Sequence, residues 1–234
     1  MAGGNGSRLN GVKSPWANKH TLPVYDRPMI VHVVETLVKG GASEILVLLN
    51  LHNPQSIMEI LEDGGKFGAS IYYRYVLPVD GPGRQLWLAK EWVAGEDFIV
   101  MLGDSIFFTR LDFHGKKAPH IWTMPLEGLD DPSKYGQVET AGDRVITLRE
   151  KPAELFSPII QTGIWLMSAD AFDKAERIGQ RTEGEVHIGD LALEYVAKEM
   201  MTHTRLPAGS YLDVGTPEAL HQAGIRMRQL KSAK

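Results

Sequence analysis

Between Pro28 and Asp104 the chain alternates helix-like and strand-like apolar patterns, and this alternation restricts the fold more than any other feature. Pro28 opens an apolar-periodic run through Ile30, Val33, Val34 and Leu37 that stops at Gly40 and Gly41. Proline near the first turn and glycine past the last are helix start and stop signals. Glu44 to Leu49 is a short, continuous apolar run, the pattern of a buried parallel strand. A second helix is expected over 54–63, and a β-rich segment with Ile71, Tyr72, Tyr73 and Tyr75 over 69–76. A Pro/Gly loop over 78–83 follows, then a helix over 84–94 and a buried strand over 97–102 that stops at Gly103-Asp104. Such alternation implies an α/β protein with a mostly parallel, mixed central sheet flanked by helices.

The second half is more mixed. Strands are expected near 119–124, 136–140, 144–149 and 161–167, and helices at 169–178, 189–200 and 216–230. No repeat or low-complexity linker interrupts the 234 residues, so a single domain over 1–234 is expected, long enough to bury a sizeable core. The absence of cysteine excludes a disulfide framework, a thiolate metal site and a cysteine nucleophile, and is compatible with a reducing cytoplasm. A net charge of -4 argues against general nucleic-acid binding, which needs a basic face. No stretch approaches the roughly 20 apolar residues of a membrane span, and no basic segment leads into an apolar one at the N-terminus. A cytoplasmic protein with no membrane partner is expected.

The run Ala2-Gly3-Gly4-Asn5-Gly6-Ser7-Arg8-Leu9 is loop composition with chemical potential. Glycines let successive backbone N–H groups converge on one anion. Arg8 adds a forked donor suited to phosphate oxygens, and Lys19 lies further along as a point charge. By composition alone, a flexible glycine-rich tail fits equally well. Other motifs fail. No Gly-Lys-Ser/Thr ends the loop, no strand and third glycine complete a dinucleotide fingerprint, and Ser7 is not followed by x-Gly.

The stretch AGGNGSRL … NKHTLPVYDRPMI resembles the signature of the sugar-1-phosphate nucleotidyltransferases, especially the glucose-1-phosphate thymidylyltransferases. In that family G-x-G-[ST]-R-L leads to K-x-x-L-P-V-[YF]-[DN]-[KR]-P-M-I. The resemblance implies a Rossmann-like nucleotidyltransferase fold, with a nucleotide-binding half over about 1–110 and a sugar-binding half over about 111–234. It implies that Gly3, Gly4, Gly6 and Ser7 wrap a nucleoside triphosphate, with Arg8 and Lys19 as catalytic cations at the reacting α-phosphate.

Asp104 ends the apolar Val100-Met101-Leu102-Gly103 run, and ligands in open α/β sheets bind beyond the carboxyl ends of strands. Mg²⁺ takes hard oxygen ligands, commonly one or two carboxylates plus substrate phosphates. The family has L-G-D-N here, where Ser105 replaces the Asn, and W-x-D-x-G-T where this chain has Tyr211-Leu212-Asp213-Val214-Gly215-Thr216. The resemblance makes Asp104 and Asp213 the Mg²⁺ ligands. Spacing alone reads Asp104 as a strand-end turn residue and Asp213 as the prelude to a helix capped by Thr216 and Pro217.

On the sugar side, Asp131-Pro132-Ser133-Lys134-Tyr135-Gly136 matches D-P-x-x-Y-G, and Glu150-Lys151-Pro152 matches E-K-P. Gln161-Thr162-Gly163-Ile164-Trp165 resembles x-T-G-[IL]-Y. Gly184-Glu185-Val186-His187-Ile188-Gly189-Asp190 resembles G-E-x-E-I-T-D, with His187 in place of the second Glu. The resemblance makes Tyr135, Gly136, Glu150, Lys151, Gln161, Thr162 and Glu185 the sugar-phosphate contacts, Glu150 accepting from hydroxyls and Lys151 binding phosphate. Alone, these segments read as a turn, a surface charge pair and a strand.

Three departures bear on function. The family carries a hydrophobic strand before the glycine loop, whereas this chain starts with Met1-Ala2, so unpaired strand edges and a looser loop are expected. R-L-x-P-x-T becomes Arg8-Leu9-Asn10-Gly11-Val12-Lys13. The base-reading Q-x-x-x-G-[LIT]-A-x-A becomes the degenerate 77–86 segment, in which Gly81 keeps the glycine but no base-reading Gln is evident. The leading expectation is Mg²⁺-dependent transfer from dTTP to glucose 1-phosphate. The alternatives are a uridylyl- or cytidylyltransferase, or a non-catalytic nucleotide- or sugar-phosphate-binding homologue. Members of this family self-associate, so a homo-oligomer is compatible with the resemblance, although no heptad marks an interface.

Overall fold

The computed structural model describes residues 1–2, 9, 17–51, 53–76, 81–127 and 131–232. In chain order the first elements are β1 (Pro23–Val24), β2 (Arg27–Pro28), α1 (Met29–Gly40), β3 (Glu44–Leu49), α2 (Pro54–Leu61) and β4 (Ser70–Tyr75). Next come α3 (Pro82–Leu86), α4 (Lys90–Val93), β5 (Phe98–Met101), β6 (Ser105–Phe107), β7 (His120–Pro125), β8 (Gln137–Ala141) and β9 (Arg144–Arg149). The chain ends with β10 (Ile159–Met167), α5 (Ala171–Arg181), α6 (Ile188–Val196), β11 (Thr202–Arg205), β12 (Tyr211–Asp213) and α7 (Pro217–Ser232). The backbone divides into two compact units, between which the chain passes repeatedly.

The first unit comprises Met1–Pro78, Leu102–His114 and Tyr211–Lys234. Its α1 forms where the proline and glycine signals place it. Gly41 takes a left-handed φ of 114°, and its N–H reaches back to the carbonyls of Leu37 and Val38, closing the last turn. Met29, Ile30, Val33 and Val34 are buried. Strand β3 pairs in parallel with β4 from Glu44↔Ser70 to Leu49↔Tyr75, with α2 as the crossover. Met1 and Ala2 are bonded on both sides: Ala2 donates to Leu48 at 2.9 Å, and Gly103 donates to Met1 at 2.8 Å. The glycine-rich run therefore starts from a hydrogen-bonded stub at Ala2, which bridges Leu49 in parallel, and not from the unpaired edge expected. A second pair, β6 with β12, is antiparallel and aligns Ser105 with Asp213. Helix α7 is capped by Thr216, whose Oγ1 accepts from Ala219 N–H at 3.2 Å, as the sequence suggests.

The second unit comprises Val79–Met101 and Gly115–Ser210. Its sheet runs β5-β10-β7-β11-β9-β8, and a further β10–β8 pairing closes five of the strands into a small ring. Trp122, Ile121, Met124, Phe172 and Tyr195 are fully buried here. Burying each large apolar side chain contributes roughly 1.5–3 kcal/mol.

The mixed α/β class holds, but the expected mostly parallel sheet does not describe this unit. Of its pairings only β7–β11 is parallel. The cause lies in the connections. Strands β8 and β9 are joined through Gly142-Asp143 alone, and so short a link permits only an antiparallel pair. The helix expected over 84–94 is also broken. It starts earlier, with Pro82 in the first turn of α3, passes through a 3₁₀ turn at Trp87–Ala89 and ends at α4.

Candidate active site

In the first unit Asn18, Lys19 and His20 form a buried corner. The Asn18 side chain accepts from His20 N–H at 3.1 Å and lies 2.8 Å from His20 Nδ1, which fixes the 3₁₀ turn Lys19–Thr21. Lys19 Nζ thereby meets Asp104 Oδ2 at 2.5 Å, with side chains only 10% and 14% exposed. Burial pushes the Asp104 carboxyl up. The Lys19 ammonium, His20 and the Lys19 hydrogen bond more than offset this and hold it well below the usual carboxylate range. Burial, reinforced by Lys19, pushes His20 down to about 3, so the imidazole is neutral at pH 7.

Asp213 is far from Asp104 in the chain, and strand pairing brings the two together. Asp213 stands opposite Ser105 across the β6–β12 pair, and Val214 N–H donates to the Asp104 carbonyl at 2.9 Å. Phe107 and Tyr211, paired across the same two strands, pack with ring centroids 5.0 Å apart and planes tilted by 39°. Two carboxylate residues on neighbouring strand ends fit the donor set of Mg²⁺, which completes its shell with phosphate oxygens and water. Among the described residues no group of three or more His, Asp or Glu forms a self-contained metal cage. Arg8, Gly3, Gly4, Gly6 and Ser7 lie outside the described residues.

The second unit assembles the sugar-side residues around Glu150. Gln161 Nε2 donates to Glu150 Oε2 at 2.8 Å, and Trp165 Nε1 donates to Gln161 Oε1 at 3.2 Å. Gln161 N–H also donates to the Gly136 carbonyl at 2.8 Å, so Tyr135-Gly136 lies beside the same group. Burial raises Glu150 above its usual range, with Asp190 adding and Lys151 and His187 opposing. Lys151 adopts a left-handed φ of 43°, uncommon for a side chain with a Cβ, and its Nζ lies 3.8 Å from Glu150 Oε1.

Two glycines make this packing possible. A Cβ on Gly189 would lie 2.4 Å from Glu150 Oε2, and one on Gly136 would lie 2.2 Å from Gln161 Nε2. Thr162 faces elsewhere: its hydroxyl donates to the Trp122 carbonyl at 2.8 Å and is fully buried. Glu185 is exposed, with Oε1 3.9 Å from His187 Nδ1. Gly81 also belongs to this unit, pressed against Val186. Gly83, Arg84 and Gly189 were not singled out from the sequence. The double glycine around Pro82 was a visible signal, but nothing local says which backbone it approaches.

The first unit thus holds a buried lysine–carboxylate pair with a second aspartate on the adjoining strand, in a mixed α/β frame. The chain belongs to the nucleotidyl transferase family, whose model matches residues 1–229. It is 31% identical over 229 residues to a glucose-1-phosphate thymidylyltransferase of Neisseria meningitidis serogroup A, covering 95% of this chain and 79% of that protein. It is 30% identical over 244 residues to the Xanthomonas campestris enzyme of the same name, covering 98% and 81%. A Bacillus anthracis crystal structure provisionally assigned as a glucose-1-phosphate thymidylyltransferase, in complex with a sucrose, superposes with a TM-score of 0.86. That likeness is at 29% identity over 97% of this chain and 93% of the other. Apo UDP-glucose pyrophosphorylase shares the fold, with a TM-score of 0.77 at 17% identity over 98% of this chain and 97% of that one.

Proposed function

We propose that this chain is a cytoplasmic enzyme that transfers a nucleotidyl group from a nucleoside triphosphate to a sugar 1-phosphate, releasing pyrophosphate. The default pair is dTTP and glucose 1-phosphate, after the named relatives. The observation that carries the reading is the β6–β12 pairing, which brings Asp213 alongside Asp104 while Lys19 sits on the same carboxylate. An oxygen of the sugar phosphate attacks the α-phosphorus as the bond to the pyrophosphate oxygen breaks. That nucleophile is already anionic, so no covalent enzyme intermediate is required. Catalysis is positioning plus charge stabilisation.

Asp104 and Asp213 would hold Mg²⁺, which supplies charge neutralisation for the triphosphate when bound. Lys19 would transfer its charge from Asp104 to the triphosphate, with Arg8 as the second cation. Gly3, Gly4, Gly6 and Ser7 would cradle the phosphates, and Gly81 would belong to the base-reading segment. Gln161 fixes one oxygen of Glu150, leaving the carboxylate oriented to accept from sugar hydroxyls. Lys151 would take the sugar phosphate, with Tyr135, Gly136 and Glu185 completing that half, while Thr162, turned to the Trp122 carbonyl, would only support the strand.

The altered 77–86 segment keeps uridine and cytidine triphosphates as alternative donors. The test is pyrophosphate release with Mg²⁺, glucose 1-phosphate and each common nucleoside triphosphate. Release is expected with at least one, highest with dTTP, and Asp104→Asn abolishes it. A folded sample that releases none with any triphosphate refutes the catalytic reading.

A further inference from the structure

Three residues at the start of α3, Gly81, Gly83 and Arg84, grip the loop between α5 and α6. A Cβ on Gly81 would fall 2.3 Å from the Val186 carbonyl oxygen and 2.6 Å from Glu185 Cγ. One on Gly83 would fall 2.6 Å from Val186 Cγ1 and 3.0 Å from the His187 carbonyl oxygen. Gly83 N–H donates to the Val186 carbonyl at 2.8 Å. Arg84 completes the grip. Its Nη2 donates to the Thr182 carbonyl at 2.5 Å and to the Gly184 carbonyl at 3.4 Å. Its stem lies within 3.8 Å of where a Cβ on Gly179 would sit.

The Thr182 contact alone is what a cation does at a helix C-terminus, since Thr182 caps α5. The Gly184 contact goes further. Gly184 is outside the helix, turns the chain at φ 96°, and immediately precedes Glu185. Three residues later the chain enters α6, whose Gly189 is in contact with the Glu150 carboxylate. The loop held by Arg84 therefore sets where α6 begins, and the start of α6 sets the space in which Glu150 and Gln161 are paired.

We propose that Arg84 is a positioning residue for sugar recognition: by clamping the Thr182–Gly184 backbone it fixes Glu185 and, through Gly189, the Glu150–Gln161 pair. The inference rests on the reading of Glu150 and its neighbours as the sugar-phosphate half of the site. Both bonds come from Nη2 of a planar, rigid guanidinium, whereas a lysine ammonium on a flexible stem is held less firmly.

The test compares wild type with Arg84→Ala, Arg84→Lys and Gly83→Ala. Three quantities are measured: the KM for glucose 1-phosphate, the KM for the nucleoside triphosphate, and amide hydrogen exchange over 182–190. Arg84→Ala is expected to raise the glucose 1-phosphate KM about tenfold, the scale of one lost charge-assisted hydrogen bond. Because Arg84 adjoins the base-reading segment, the triphosphate KM is expected to rise too, but by clearly less than the glucose 1-phosphate KM. Exchange over 182–187 speeds up, Arg84→Lys is intermediate, added methylguanidinium restores Arg84→Ala, and Gly83→Ala reproduces the sugar-specific effect. An unchanged sugar KM with a lowered Tm overturns the proposal and leaves Arg84 as a cap on α5. Equal changes in both KM values overturn it as well. If wild type neither turns over nor binds glucose 1-phosphate by calorimetry, the sugar-site reading itself fails. Binding by wild type that is unchanged in Arg84→Ala removes the clamp alone.

Discussion

Removing Lys19 should destabilise the first unit far more than removing an ordinary lysine, and a double-mutant cycle with Asp104 can measure it. The two charged atoms are 2.5 Å apart, and both side chains are largely excluded from water. At an effective dielectric near 20 their attraction is on the order of 6 kcal/mol, before the cost of taking two ions out of water is subtracted. Removing one member of such a pair typically costs about 3–5 kcal/mol, because the other charge is left buried and uncompensated. Lys19→Met keeps the volume and deletes the charge, so a loss of about 3–5 kcal/mol at pH 7 is expected. Lys19→Met with Asp104→Asn removes the stranded charge and should recover most of it.

The pH dependence has a definite sign. In wild type the Asp104 carboxyl is held below its ordinary value of 3.8, so the stability it confers is complete above about pH 4 and is lost in stronger acid. Without Lys19, burial raises the same carboxyl above that value. The penalty of Lys19→Met then shrinks as pH falls and the group takes up a proton. Urea unfolding of the four proteins at pH 7 and pH 4 supplies the cycle. A coupling below about 0.5 kcal/mol at pH 7, or a Lys19→Met penalty that does not fall toward pH 4, would refute the reasoning.

Two smaller perturbations probe the rest of the frame. Gly189→Ala gains about 1 kcal/mol of helix propensity but drives a methyl group into Glu150 and breaks its bond to Gln161, at about 1.5–3 kcal/mol. A slight net loss in urea unfolding is expected, with a clear rise in the glucose 1-phosphate KM. A lower KM would show that Glu150 does not face the sugar. Gly41→Ala forces a Cβ into a left-handed backbone and to within 2.9 Å of His114 Nε2. It should cost about 1–2 kcal/mol in thermal or urea unfolding, and no loss would mean that the α1 terminus relaxes freely.

Helix α1 and strand β3 were legible because their determinants are local: a proline, a glycine pair and an unbroken apolar run. Strands β6 and β12 were not, because three residues each is too short for a period to register. Strand β11 was missed for another reason. Its Thr202-His203-Thr204-Arg205 has no apolar residue, and its side chains bond to the polar residues of β7. Thr202 and Thr204 bond the two nitrogens of His120, and His203 bonds Thr123, so hydrogen bonds hold a strand that hydrophobicity does not announce. The expectation of a parallel sheet carried the rhythm of the first half into the second. There the two-residue Gly142-Asp143 turn already argued for an antiparallel hairpin.

The candidate site divides along the same line. Asp104 and Asp213 could be joined only through the family resemblance, since an antiparallel pair between distant segments leaves no trace in spacing. Glu150-Lys151 looked like a surface charge pair, yet the Glu150 side chain is only 17% exposed. What buries it is the lack of side chains at Gly136 and Gly189. Neither glycine has a left-handed φ, so the usual reading of glycine as a turn residue misses both. Gly189 stands inside a helix, where alanine would be favoured by about 1 kcal/mol, and that local disadvantage is itself a signal. A helical glycine two residues after a histidine N-cap asks what would collide with a methyl group there, and in this chain the answer is the Glu150 carboxylate assigned to the sugar.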